Sequence, residues 1–124
     1  MPTKSELKYH LVWCTKYRRK VLTEEIQENL KILIGEVCEK NGFEIEALET
    51  MEDHVHVFIK ASGKDSVHRI VSQIKGYTAF KLREKHVELK SRLPRLWTRS
   101  YHAGTVGHVS EETVKKYIEN QKNV

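Results

Sequence analysis

The apolar residues of this chain repeat with two different periods, and the order in which those periods alternate leaves few folds open. Residues 7–15 (LKYHLVWCT) are rich in strand formers and predict a first strand. Helical spacing takes over at residues 23–40, where Ile26, Leu30, Leu33, Ile34 and Val37 fall on one face. Thr23 is suited to cap that helix, Glu24 and Glu25 match the positive end of its dipole, and Asn41-Gly42 stops it. Near-alternation over residues 43–48 predicts a second strand, and residues 54–61 a third. Asp65 or Ser66 caps a second helix to about residue 85, with Val67, Ile70, Val71, Ile74 and Leu82 as its buried stripe. Residues 86–98, which contain Pro94, are expected to be a basic connection. Residues 99–107 are expected to form a fourth strand weakened by Gly104 and Gly107. A last helix then spans about residues 110–122, begun by Ser110-Glu111-Glu112. The order β-α-β-β-α-β-α belongs to the α+β class. Its first six elements match the ferredoxin-like βαββαβ arrangement, an antiparallel sheet with two helices on one face, and the seventh is an appended C-terminal helix.

With 124 residues, no internal repeat and no Pro/Gly/Ser-rich linker, the chain is expected to be one domain, 1–124. No apolar run is long enough for a membrane span, and Met1-Pro2-Thr3-Lys4-Ser5-Glu6 lacks the apolar core of a signal peptide. Cys14 and Cys38 are the only cysteines and form no C-x-x-C, which predicts two reduced thiols in a cytosolic protein. The net charge of +5 is unevenly spread. Residues 22–53 hold ten acids and two bases, whereas residues 64–100 hold ten bases and three acids. Residues 1–21 add six bases against one acid, including Lys16-Tyr17-Arg18-Arg19-Lys20. A basic surface interleaved with Tyr17, Tyr77, Phe80, Trp97 and Tyr101 suits a nucleic-acid partner; the alternative is a solvated charged face.

The stretch Glu52-Asp53-His54-Val55-His56-Val57 places two imidazoles around one valine. Strand side chains alternate, so His54, His56 and Phe58 share one face and Val55, Val57 and Ile59 the other. The valine face is expected under the helices and the histidine face on the open side of the sheet. Residues two apart on a strand lie about 7 Å apart, close enough for two neutral rings to converge on one ion. Asp53 and Glu52 are candidates to orient those rings from behind. H-x-H alone is weak evidence for a metal site, and surface decoration or a hydrogen-bonded histidine pair are its other readings. No third histidine or cysteine sits at zinc-ligand spacing, so oxygen-preferring Mg²⁺ or Mn²⁺ suits the pair better.

On the last helix Tyr117 and Gln121 lie four apart and share a face. Tyr117 is either an anchor against the body or a nucleophile, and a phenol needs a strongly polarised electrophile for the second role. Gln121 offers a neutral oxygen one turn away. Taken in order, Glu52-Asp53-His54-Val55-His56-Val57, Gln73-Ile74-Lys75-Gly76-Tyr77, Leu96-Trp97 with Thr105-Val106-Gly107, and Tyr117-Ile118-Glu119-Asn120-Gln121 resemble the small single-tyrosine HUH (histidine–hydrophobe–histidine) transposases of bacterial and archaeal insertion sequences, the IS200-like family. The resemblance spans essentially the whole chain.

That resemblance implies a cytoplasmic, nucleoid-associated prokaryotic enzyme that cleaves and rejoins single-stranded DNA at element ends. It implies a homodimer that recognises DNA hairpins, a divalent metal (Mg²⁺ or Mn²⁺) and no nucleotide cofactor. His54 and His56 would be metal ligands, Gln121 the third ligand, and Tyr117 the nucleophile, forming a 5′-phosphotyrosine. Tyr117 would act either on its own or on the partner subunit's histidine pair, with Gly104 and Gly107 either as flexible points or as plain turn glycines. Lys75, Arg83, Arg95 and Arg99 are expected to carry DNA phosphates, and Tyr77 and Trp97 either to stack on bases or to fill the core. Three alternatives remain at the level of sequence. A non-catalytic single-strand binder of RRM type would need aromatics where His54-Val55-His56 stands. A regulatory metal-binding module would leave the basic half unexplained. A host-retained transposase relative would keep the same chemistry.

Overall fold

A computed structural model describes residues 6–105. The segment expected to form the last helix, with Tyr117 and Gln121, lies outside the described residues, as do Val106 and Gly107. Strand β1 (Glu6–Cys14) is followed by a 3-10 turn (Lys16–Arg18) and helix α1 (Glu24–Asn41). Strands β2 (Glu44–Thr50) and β3 (His54–Ser62) form a hairpin, and α2 (Val67–Lys85), α3 (Glu88–Arg92) and β4 (His102–Thr105) complete the order. The sheet runs β2-β3-β1-β4, each neighbouring pair antiparallel. This is the ferredoxin-like order, with the two central strands being the first and third in the chain.

Local chemistry accounts for the helix ends. Thr23 accepts from the Ile26 N–H at 3.3 Å and Ser66, rather than Asp65, accepts from the Arg69 N–H at 3.1 Å. Gly42 takes the left-handed conformation (φ 74°) that closes α1, and its N–H bonds back to Cys38 and Glu39 carbonyls. Between the helices and the sheet lies the core: Leu11 and Trp13 of β1, Val55, Val57 and Ile59 of β3, Ile26, Leu30 and Ile34 of α1, and Ile70, Ile74 and Leu82 of α2. Each such side chain contributes about 1.5–3 kcal/mol on burial. Leu33 and Val67 are only partly buried at the edge of this cluster, while Cys38 and Thr78 take up core positions. Cys38 is buried and Cys14 half-buried, both as free thiols.

Three local features depart from the expected pattern. In β2 the register shifts between Ile45 and Ala47, so Glu46 is the extra residue of a bulge. That is why Ile45 and Leu48, three apart, both face the helices opposite Ile59 and Val57. The 86–98 connection contains the one-turn helix α3, whose Leu89 is buried together with Leu93 and Leu96. Last, β4 begins at His102 rather than residue 99. Trp97 already bridges Thr15 at the end of β1, but the chain lifts off before His102 pairs with Val12. The Lys75 ammonium fills the gap, donating to the Thr98 carbonyl at 2.5 Å and the Ser100 carbonyl at 3.2 Å. Among the described residues no helix is long and apolar enough to cross a membrane.

Candidate active site

His54 opens β3, and its strand neighbours place it beside the end of β1, opposite Cys14. Val55, Val57 and Ile59 are fully buried on the helix side, so the alternation puts His54, His56 and Phe58 on the other face. The two imidazoles meet at 5.0 Å between ring centroids, their planes 74° apart. That face is not simply wet: His56 is 6% exposed and Phe58 is fully buried.

Both rings are held from behind. The Nδ1 of His54 lies 2.7 Å from the Asp53 carboxylate. Burial alone would raise the Asp53 pKa, but the hydrogen bond to His54, its charge and that of Arg18, whose guanidinium is 3.6 Å away, hold the carboxyl below its usual value. The Nδ1 of His56 lies 3.2 Å from Nε2 of His10 on β1, and these rings stack at 5.3 Å with only 17° between planes. His10 pairs with Phe58 in the sheet and Val12 with His56, so His10 and His56 are diagonal cross-strand neighbours. Burial, then the charges of His54 and His10, push the His56 pKa down to about 4. The ring is therefore neutral at physiological pH, the state in which imidazole binds a metal. Burial and the charge of His102 also lower His10.

Asp53 thus fills the supporting role expected of it. Glu52 instead contributes its backbone carbonyl, which accepts from the Leu22 N–H at 3.0 Å. Sequence reasoning missed His10, since nothing local to Tyr9-His10-Leu11 links it to residue 56; only the β1–β3 register does. Tyr117 and Gln121 lie outside the described residues. Among the described residues no group of three His, Cys, Asp or Glu is arranged to hold a metal.

The expected DNA-contacting residues divide. Arg95 and Arg99 are exposed. Arg83 is half-buried beside a cavity of about 290 Å³ that it lines with Ala79, Phe80, Glu84 and Lys90, and its Nε has no hydrogen-bond partner. Lys75 serves the β4 approach described above; burial and the charge of Arg95 lower its pKa. Trp97 is not available to stack on a base. It is buried at 4% exposure, donates to Thr78 Oγ1 at 3.1 Å and meets Trp13 edge-on. Tyr77 bridges the two helices by donating to Glu36 at 2.7 Å. Gly104 lies within β4 opposite His10, and the only positive-φ glycine described is Gly42.

The family model described as "Transposase IS200 like" matches residues 3–121. The ISDra2 transposase TnpA of Deinococcus radiodurans is 36% identical over 118 residues, covering 94% of this chain and 84% of that one. The transposase for insertion sequence element IS200 of Salmonella typhimurium is 30% identical over 121 residues, 96% of this chain and 79% of that one. A crystal structure of a Deinococcus radiodurans transposase superposes with TM-score 0.78 at 35% identity, covering 98% of this chain and 93% of that chain. A REP-associated tyrosine transposase bound to a REP hairpin shares the fold at TM-score 0.65 and 15% identity, covering 96% and 67%.

Proposed function

The chain belongs to the IS200-like transposase family, and we propose that it cleaves and rejoins single-stranded DNA through Tyr117 at a site built on His54 and His56. The observation that carries this is the paired imidazoles, 5.0 Å apart, with both Nδ1 atoms already engaged. With Nδ1 engaged in each ring, Nε2 is the nitrogen we assign to the metal. His54 donates its Nδ1–H to Asp53, which fixes its tautomer, and the His56 Nδ1 shares a hydrogen bond with His10 Nε2 in which either ring can be the donor. This donor set fits a divalent metal, with Gln121 as a third, oxygen ligand. When bound, Mg²⁺ or Mn²⁺ would supply Lewis-acid polarisation of the scissile phosphate and offset charge in the transition state.

The Tyr117 phenol oxygen attacks phosphorus and loses its proton. The bond to the 3′ oxygen breaks, a 3′-hydroxyl leaves, and a 5′-phosphotyrosine remains. Attack by a 3′-hydroxyl reverses these steps and reseals the strand. The energy of the broken bond stays in the covalent link, so the reaction needs no nucleotide cofactor. The neighbour solved with a REP hairpin supports a hairpin-bearing strand as partner. Arg83, Arg95 and Arg99 are the proposed phosphate contacts. The enzyme acts as a homodimer, with Tyr117 donated to the partner's histidine pair.

The test is a labelled single-stranded hairpin oligonucleotide from the chain's own genomic flanks, incubated with Mg²⁺ or Mn²⁺. A covalent adduct that survives SDS is expected from the unaltered chain and not from Tyr117→Phe. No adduct with the correct flanks overturns the proposal. Donation between subunits predicts that mixing Tyr117→Phe with His54→Ala restores cleavage; a mixture as inactive as its parents counts against it.

A further inference from the structure

Immediately after β1, Lys16-Tyr17-Arg18-Arg19-Lys20 combines four positive charges with one aromatic ring. The backbone there is one that ordinary side chains avoid. Tyr17 (φ 60°, ψ 16°) and Arg18 (φ 53°) lie consecutively in the left-handed region. Among the described residues they are the only non-glycines with positive φ, and neither is the asparagine or aspartate that tolerates it.

Such a conformation persists only where its surroundings impose it. Here the fastening is dense. The Thr15 N–H donates to the Asp53 carbonyl at 2.9 Å and the Lys16 N–H to the Leu96 carbonyl at 2.8 Å. Thr15 Oγ1 donates to the Arg19 carbonyl at 2.7 Å, and the Arg18 N–H to the Thr15 carbonyl at 2.9 Å. Core packing does not offset the strain, because no residue of the turn is buried. Tyr17 is instead 66% exposed, with the Lys16 ammonium 5.0 Å from its ring centroid. The turn is also tied to the histidine pair. Asp53 holds His54 through one carboxylate oxygen, faces Arg18 with the other and accepts from Thr15 through its backbone.

We propose that Tyr17 is a stacking platform for one unpaired nucleobase next to the scissile phosphate, with Arg19 and Lys20 on the flanking phosphates. The inference rests on the single-strand chemistry proposed above. Every base has a π face, so the subsite takes a base of any identity and positions the strand rather than reading it. The strained turn keeps the ring presented outward, and its tie to Asp53 couples the ring's position to that of His54.

The experiment measures binding of a single-stranded oligonucleotide spanning the cleavage position, and of copies in which one abasic site is walked along it. The unaltered chain is expected to lose affinity at one abasic position. Tyr17→Ala is expected to lose roughly 5- to 150-fold on the intact strand and nothing more at that abasic position. Tyr17→Phe and Tyr17→Trp should retain binding. Tyr17→Gly should melt at a higher temperature than the unaltered chain while binding as weakly as Tyr17→Ala, because glycine accepts the left-handed backbone without strain. Affinity unchanged in Tyr17→Ala, or lost equally on every abasic strand, overturns the subsite, as does a lower melting temperature in Tyr17→Gly. No binding of any single strand by the unaltered chain would defeat the transposase chemistry itself, and the subsite with it.

Discussion

His56 and Val57 are neighbours on β3 and both are buried, yet they belong to different parts of the molecule. Val57 lies with Val55 and Ile59 beneath the helices, in a layer held together by removal of apolar surface from water. On the other face, His56 touches His10 and His54, and Phe58 beside it stands outside that main cluster. Burial therefore does not separate scaffold from site here. What separates them is polar pairing: Val55, Val57 and Ile59 have no side-chain polar atom to satisfy, and on the histidine face both rings have partners. A slip of one residue in β3 would exchange the two faces. Pairing on both sides, to β1 and β2, pins the register against that slip.

The contrast breaks most sharply under substitution on the two faces. His56→Ala is expected to lower single-turnover strand cleavage by about a thousandfold or more, through loss of a proposed metal ligand, with little change in the denaturation midpoint. Ile59→Ala should do the reverse: about 2–5 kcal/mol lost in chemical denaturation from the cavity it leaves, with cleavage retained at temperatures where the protein stays folded. If both variants lose stability alike, the histidine face is core and not a site.

Acid should also tell the faces apart. The folded pKa of His56 is depressed to about 4, below the roughly 6.5 of an unfolded histidine. The unfolded chain therefore takes up the proton first as pH falls. The stability linked to this group is fully present above about pH 6.5 and is lost between there and about pH 4, to a limit of about 3 kcal/mol. Melting curves of the metal-free protein across that window should show the decline, and it should be shallower in His56→Asn. The apolar cluster on the other face contains no carboxylate or imidazole to add to it.

The helix face was legible in the sequence because its information is local. The spacing of Ile26, Leu30 and Ile34, the caps Thr23 and Ser66, and Gly42 are each defined within a few residues. The features that escaped depend on distant chain. One turn of helix at Leu89 is too short to show a period. The late start of β4 depends on Lys75 reaching across from α2. On the histidine face, adjacency revealed Asp53, while His10 is 46 residues from His56 and meets it only through strand pairing. Trp97 had two readings, as a stacking ring or a core ring. Its bond to Thr78 decides for the core, because a buried indole N–H needs an acceptor.

His10 supplies a finer test of the same contrast, since it acts on the site without being one of the proposed ligands. If its Nε2 accepts from the Nδ1–H of His56, removing it frees the ring to rotate and to change tautomer. His10→Ala is then expected to weaken Mn²⁺ affinity by about 10- to 100-fold, read by titration calorimetry without DNA. His10→Gln should recover most of that loss, because its amide oxygen can accept the same proton. The ¹⁵N chemical shifts of His56 give an independent reading: Nδ1 protonated in the unaltered chain, and a mixture of tautomers in His10→Ala. A purely structural role would lower stability in both variants and leave the His56 tautomer unchanged. An unaltered tautomer in His10→Ala would remove His10 from the site.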